Sequence, residues 1–324
     1  MTVPEMVTTS QLTAQDRRDH VLARLGYRRM DHRVEPGLYR LGRPDRSSPV
    51  FVSANYALSF DALRSALSGL DAFILVLDTK GVNVWCAAGK GTFGTDELVE
   101  RVEATGLKDL VDHRRLVLPQ LGAPGVAAHE VKRRTGFVVE YGPVRASDIP
   151  AYLRSGATEE MRQVRFPLRD RAVLVPVEVK NVGLMAIAAT VVLYLLGGTV
   201  PALAALTAAL AGTALFPLLL PLLPTKDFTS KGLVLGDLVA VPFALYYLAT
   251  SPGWVGGVYA IGTVLLMAPA VAYLALNFTG CSTYASRTGV RREIFRYIPV
   301  LVAMALSGLV MVAATAVGTS MGWL

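Results

Sequence analysis

Cys86 lies in the stretch Asn83-Val84-Trp85-Cys86-Ala87-Ala88-Gly89-Lys90-Gly91, where an apolar run gives way to small residues. As a thiolate, such a residue is a nucleophile and a ligand for soft metals. If the segment opens a short helix, backbone N–H groups and the positive dipole end face the sulfur. Lys90, at i+4, then lies on the same side. Ala87, Ala88 and Gly89 carry little side chain, so a large flat ligand could approach the backbone. No second Cys or His is close in sequence, which disfavours tetrahedral zinc. One thiolate suits a metal whose other ligands come from a macrocycle. The competing reading is a buried small hydrophobe, the usual role of a lone cysteine.

Two other motifs overlap this stretch. Gly89-Lys90-Gly91-Thr92-Phe93-Gly94 matches G-x-G-x-x-G after an apolar strand. A dinucleotide site also wants an acid about 20 residues on, and the next strand, ending Leu116-Val117-Leu118-Pro119-Gln120, has none. A phosphate loop needs Ser or Thr after Gly-Lys, and Gly91 stands there. His20, His32, His113 and His129 read as structural or solvated, and none is assigned as a ligand.

The elements that hold Cys86 read as α/β. Residues 11–25 look helical, with Val21, Leu22 and Leu25 on one face. Pro49–Ser53 and Ala72–Leu77 are apolar runs of strand length. Between them Ser59 can cap a helix whose Leu63, Leu67 and Leu70 recur at helical spacing. Thr95-Asp96-Glu97 opens another helix, and residues 125–134 read as helical between strands at Leu116–Leu118 and Phe137–Glu140. This alternation predicts a Rossmann-like parallel sheet with ligand sites at the strand C-terminal ends.

The composition changes near Val182. Only six of the 32 Lys/Arg and three of the 25 Asp/Glu follow it. Five apolar runs approach the roughly 20 residues that cross a bilayer as a helix: 182–198, 202–222, 233–250, 254–276 and 298–320. The second contains Pro217 and Pro221, which predict a kink or an early end. Lys226, Lys231, Arg287, Arg291, Arg292 and Arg296 lie in alternate connections, while Gly197–Pro201 and Ser251–Gly253 are uncharged. Positive loops stay inside, so residues 1–181 are expected in the cytoplasm and the C-terminus outside an inner membrane. Residues 1–50 have no long apolar stretch, so no export signal is expected. The net charge of +7 then reflects topology and anionic lipid, and nucleic acid is not required. Asp237, the one acid within a span, is expected near its end. The organisation is a helical lead-in over 1–45, an α/β domain over 46–180 and an all-α membrane domain over 181–324.

These residues carry a resemblance. Asn83 to Gly91 resembles the cap-helix signature of HgcA proteins, the membrane corrinoid proteins of mercury methylation. Asn55-Tyr56-Ala57-Leu58-Ser59-Phe60-Asp61, Leu118 to Gly125, Tyr141-Gly142-Pro143-Val144-Arg145-Ala146, Asn277-Phe278-Thr279-Gly280 and the five spans resemble that family too. A weaker likeness, confined to the α/β domain, is to the corrinoid iron–sulfur protein of acetyl-CoA synthesis. The resemblance implies a base-off cobamide with the Cys86 thiolate as lower axial cobalt ligand. It implies a cap formed by Asn83, Val84, Trp85, Ala87, Ala88, Gly89 and Lys90. Asn55, Tyr56, Ser59 and the loop Gln120, Leu121, Gly122, Ala123, Pro124 and Gly125 would touch the corrin or its nucleotide tail. Cys281 reads as a small residue at a membrane-surface turn.

The implied activity is a methyltransferase that passes a cobalt-bound methyl group to Hg(II), forming methylmercury. Hg(II) is an electrophile, so the methyl group must leave with electron density, and an anionic sulfur donor suits the oxidised cobalt that remains. The same donor disfavours Co(I), so a strong reductant is needed, and iron–sulfur clusters reach low potentials. Two cysteines in separate domains cannot build a four-thiolate cluster. A ferredoxin-like partner with two [4Fe–4S] clusters is implied, which the resemblance names HgcB, beside a methyltetrahydrofolate-type methyl donor. Two other functions compete: a membrane corrinoid methyl carrier of one-carbon or acetyl-CoA metabolism, and a transporter with a regulatory domain, which the scarcity of polar groups in the spans disfavours.

Overall fold

The computed structural model describes residues 5–28, 30–282 and 287–322. The chain forms two compact units, Met1–Arg165 and Phe166–Leu324. In the first, strands β1 (Met6–Thr8), β2 (Gly37–Leu41), β3 (Val50–Ala54), β4 (Ala72–Leu77), β5 (Arg115–Leu118) and β6 (Val138–Tyr141) make one sheet in the order β1-β2-β4-β3-β5-β6. Its helices are α1 (Ala14–Arg24), α2 (Ala57–Ala66), α3 (Val84–Lys90), α4 (Thr95–Ala104), α5 (Leu107–Leu110), α6 (Ala128–Thr135), α7 (Ile149–Ser155) and α8 (Glu159–Arg162).

Strands β3 to β6 are mutually parallel, as the alternation predicts. At the other edge β2 runs antiparallel to β4 and carries β1 parallel to itself. Only residues 42–49 join β2 to β3, too few for the crossover of a dozen or more residues that a parallel return needs. Alternation along the strands splits the core between the two faces. Val50, Val52, Phe73, Leu75 and Leu77 pack with Leu98, Val102 and Val131 on one face. Phe51, Ile74 and Val76 pack with Phe60, Leu63 and Leu67 on the other.

The order β4-β3-β5-β6 positions the site. The chain steps from β3 to β4 on one side, then crosses back to β5 on the other. Winding therefore reverses between β3 and β5, and in open α/β sheets ligands bind at such a switch, outside the strand C-terminal ends. The loops there begin at Asn55, Asp78 and Pro119. Ser59 does not cap α2: the helix begins at Ala57 after an extended Tyr56 that makes no side-chain cap. An isolated bridge to Arg33 holds the Tyr56 backbone extended, and the Ala57 N–H donates to the His32 carbonyl (3.0 Å), which fixes the start.

The second unit comprises α9 (Leu168–Ala172), α10 (Val175–Gly197), α11 (Thr199–Leu210), a π-helical stretch Ala211–Leu215, α12 (Phe216–Leu219), α13 (Phe228–Thr250), α14 (Gly253–Phe278) and α15 (Arg287–Ser320). Among the described residues it has five helical segments long and apolar enough to cross a membrane. The second behaves as its prolines predict. Pro217 offers no N–H to the Thr213 carbonyl, and the helix widens into the π stretch just before it. It ends at Leu219, because Pro221 offers no N–H to the Pro217 carbonyl. Buried Arg171 takes over, donating from Nη1 to the carbonyls of Pro217 (3.0 Å) and Leu218 (2.5 Å). Helix α13 starts at Phe228, earlier than expected, so Asp237 is its tenth residue rather than near the end, and it is exposed on the unit's surface. Cys281 closes a short 3-10 turn, Thr279–Cys281; its side chain lies outside the described residues.

Candidate functional site

The site is built on α3, which β4 delivers through the loop 78–82. Asn83 is the extended residue that starts the helix, and its side chain accepts from the Cys86 N–H at 2.9 Å. After seven residues the helix is closed by Gly91 in the left-handed conformation. Ala87 and Ala88 turn inward and are buried. Val84, Trp85 and Cys86 are half-buried, while Gly89 and Lys90 are exposed. Cys86, Gly89 and Lys90, at i, i+3 and i+4, share one face. A Cβ on Gly89 would meet nothing within 4 Å, so the surface beside the thiol is open.

The loop after β5 packs against the same helix. Pro119 leads into a 3-10 turn, Gln120–Gly122. A Cβ on Gly125 would sit 2.1 Å from the Phe93 carbonyl and 3.0 Å from the Ala88 Cα. Only glycine permits that approach. The Tyr141 hydroxyl donates to the Val126 carbonyl at 2.6 Å and secures the far end of the loop. Leu121 and Ala123 are half-buried and Pro124 is exposed. The Gln120 Oε1 is buried without a hydrogen-bond partner. Buried acceptors rarely stay unpaired, so this one is available to a donor from outside the chain.

The structure thus brings Asn83–Lys90 and Gln120–Gly125 together at the switch between β3 and β5. Asn55 is buried below them, with its amide engaged by the loop 78–82: Nδ2 donates to Asp78 and Oδ1 accepts from Thr79 and Gly81. Tyr56 and Ser59 stand at the start of α2, Tyr56 buried and Ser59 half-buried. The Gly89-to-Gly94 match runs from the last two residues of α3 to Gly94, the residue before α4, instead of sitting at a strand-to-helix turn. That placement lacks the geometry of a dinucleotide fingerprint. His20 bonds Asp61 (2.7 Å), His32 the Tyr27 carbonyl (2.9 Å) and His113 the Ser48 carbonyl (2.8 Å), while His129 lies 3.6 Å from Glu130.

Asp78, Thr79 and Glu97 belong to the site's frame although their types in sequence did not single them out. The Asp78 N–H donates to Glu97 Oε1 at 2.7 Å, and Arg101 holds Glu97 at 2.9 Å. Burial pushes the Asp78 carboxyl up, but hydrogen bonds from the Lys80 side chain and backbone, the Lys80 charge and the Asn55 amide outweigh it. The group ends below the ordinary carboxylate range. The available signal was positional: Asn55 and Asp78-Thr79 follow directly on the two central apolar strands.

Fold and site define the class: a doubly wound α/β unit in a chain that also carries a helical unit with five candidate membrane-spanning segments. Residues 26–153 match the family described as the CO dehydrogenase/acetyl-CoA synthase delta subunit (CdhD). The acetyl-CoA decarbonylase/synthase complex subunit gamma of Methanopyrus kandleri is 37% identical over 122 residues, covering 37% of this chain and 26% of that protein. The same subunit of Methanothermobacter thermautotrophicus is 34% identical over 128 residues, covering 39% of this chain and 28% of that one. The corrinoid/iron–sulfur protein large subunit of Moorella thermoacetica is 28% identical over 149 residues, covering 43% and 33%. The matches to the subunit gamma relatives span about a quarter of those proteins.

Proposed function

We propose that this chain is a membrane-anchored corrinoid protein whose α/β unit carries a methyl group between one-carbon donors and an acceptor. The observation that carries the reading is half-buried Cys86 on α3, beside the open surface at Gly89. Similarity of the same unit to a corrinoid/iron–sulfur protein and to acetyl-CoA decarbonylase/synthase subunits supports it independently. A corrinoid, when bound, would supply a cobalt centre able to take up and give up a methyl group.

The residues fit such a group. The chain need offer only one donor to such a metal, and Cys86 would be a soft one. The backbone at Gly89 lets a flat ring lie close. Gln120 Oε1 offers a buried acceptor to amide N–H groups of the ring periphery. In this reading Cys86 would hold the cobalt, Asn83 sets its helix turn, and Gln120–Gly125 would border the ring. Two cysteines in the chain leave no means of holding a four-thiolate cluster, so an iron–sulfur reductant must be a separate protein. In the finer reading the acceptor is Hg(II). A sulfur donor at Cys86 would favour it, since an electrophilic acceptor needs a methyl group rich in electron density.

Full-length protein mixed with cobalamin is expected to retain the cofactor through gel filtration, with a visible spectrum that changes in Cys86→Ala. Given a methyl donor and a low-potential reductant, it is expected to convert Hg(II) to methylmercury. Cofactor retention without methylmercury would leave the carrier reading and remove the mercury one. Failure to retain cofactor would remove both.

A further inference from the structure

We infer that Asn55 is the positioning residue of the Cys86 site: one buried amide holds the loop 78–82 in the shape that starts α3. Its functional meaning rests on the corrinoid reading; the geometry stands without it. Asn55 is 1% exposed, at the end of β3. Its Oδ1 accepts from the Thr79 N–H (3.1 Å) and the Gly81 N–H (3.0 Å), and the Thr79 hydroxyl lies 2.9 Å away. Its Nδ2 donates to the Asp78 carboxylate at 3.2 Å. Its backbone is fixed as well, with the N–H on Leu77 O (3.0 Å) and the carbonyl accepting from Val34 (2.9 Å).

The loop needs such a template because its conformation is unusual. Lys80 and Gly81 are consecutive left-handed residues, with φ 59° and 73°. A non-glycine residue rarely adopts that region unaided; here the Lys80 N–H is held by Asp78 Oδ1 at 3.0 Å. A Cβ on Gly81 would lie 2.7 Å from the Met30 carbonyl, so the loop is confined from outside too. Fully buried Thr79 continues the chain of contacts, its hydroxyl 2.6 Å from the Val82 carbonyl, next to Asn83. Asn55 therefore acts on Cys86 through Thr79, Val82 and Asn83.

Only a side chain with acceptor and donor on one carbon meets both demands. Aspartate would keep the acceptor but set a second carboxylate against Asp78, while valine at position 79 would remove only the hydroxyl. The test uses full-length protein in detergent, comparing the parent with Asn55→Asp and Thr79→Val by hydrogen exchange and by the visible spectrum with added cobalamin. In Asn55→Asp, amides of 79–90 are expected to exchange at least about tenfold faster while β5, β6 and α6 keep their protection, because a lost local bond opens only its own segment. Thr79→Val should produce a smaller effect in the same segment. The Cys86-dependent band, defined as what Cys86→Ala removes, should weaken in Asn55→Asp with cofactor still bound. Unchanged exchange at 79–90, exchange raised equally throughout the unit, or an unaltered band would each overturn the proposal. If the parent retains cobalamin but shows no Cys86-dependent band, the role of Cys86 as cobalt ligand fails; if it retains none, the corrinoid reading fails; in either case the exchange result alone decides Asn55.

Discussion

At the scale of single residues, the site combines one reactive atom with several that only hold it. Cys86 is half-buried, so Cys86→Ala removes little packing, about 1 kcal/mol or less by the usual run of such substitutions. Its chemical effect should be far larger: folded protein that retains cobalamin but forms no methylmercury. Cys86→His separates coordination from charge, since imidazole can bind cobalt but is neutral; methylation at the parental rate would sink the role given to anionic sulfur. Gly125→Ala tests the loop beneath, where the added methyl meets the Phe93 carbonyl and Ala88. A loss of about 1–3 kcal/mol is expected, read as a lowered midpoint in denaturant. Asp78 adds a pH signature. Its folded-state carboxyl lies below the ordinary 3.8, so it binds protons less readily folded than unfolded. Its contribution is complete above that ordinary value and is lost as pH falls through the lower folded one. Stability measured at pH 7 and pH 3 should therefore fall more for the parent than for Asp78→Asn; equal losses would contradict the assignment.

At the scale of elements, what could be read from sequence was what periodicity and apolar runs encode. Ala72–Leu77 was legible as a strand because every residue in it is buried, on one face or the other. The helix at Thr95 was legible from its acids. The start of α2 was not: Ser59 has the chemistry of a cap, but the bridge from Arg33 to Tyr56 sets the boundary, and no local pattern records it. The lead-in also supplies β1 and β2, three and five residues long, too short for alternation to stand out. Asn55 could be placed at a strand-end loop, yet its partners lie 23 to 26 residues away, beyond any spacing rule. The neighbourhood of α3 and Gln120–Gly125 was legible only through family likeness and strand order. In the second unit Pro217 announced the break, while its repair by Arg171 was invisible. That repair is testable. Arg171→Ala leaves the carbonyls of Pro217 and Leu218 without their donor, and an orphaned buried acceptor costs about 1–3 kcal/mol. A lowered thermal midpoint of helix loss is expected, with Arg171→Lys intermediate because an ammonium lacks the guanidinium fork. An unchanged midpoint in Arg171→Ala would mean water satisfies those carbonyls.

At the scale of the whole molecule, the organising fact is where the second unit gathers its charge. Glu293 of α15 is buried and accepts from the Phe228 N–H (3.3 Å), the Thr229 N–H (3.0 Å) and the Thr229 hydroxyl (2.8 Å) at the start of α13. Asp227 accepts from Tyr297 (2.9 Å) and Arg292 (3.4 Å). The beginnings of α13 and α15 are therefore bound to each other, and Lys226, Lys231, Arg291, Arg292 and Arg296 share one end of the bundle. Helix α15 has 34 residues, about 50 Å at 1.5 Å per residue, well beyond a hydrocarbon core of about 30 Å. Its arginine-bearing turns can thus stand outside the apolar layer. By the positive-inside rule this end is expected to face the cytoplasm. If all five candidate segments cross, counting back two spans from the start of α13 would put the segment before α10 on the same side, and one further crossing by α15 would put Ser320 on the other. The expected result is that a reporter active only in the cytoplasm is inactive when fused after Ser320 and active when placed at the loop 224–227. Activity at both positions would mean that one of the five helices does not cross. The π-broken second segment, whose last α-helical piece has only four residues, would then be the one to delete and retest. Arg291→Glu with Arg292→Glu and Arg296→Glu should weaken the orientation, giving mixed reporter activity after Ser320, because the charge asymmetry rather than helix count sets direction.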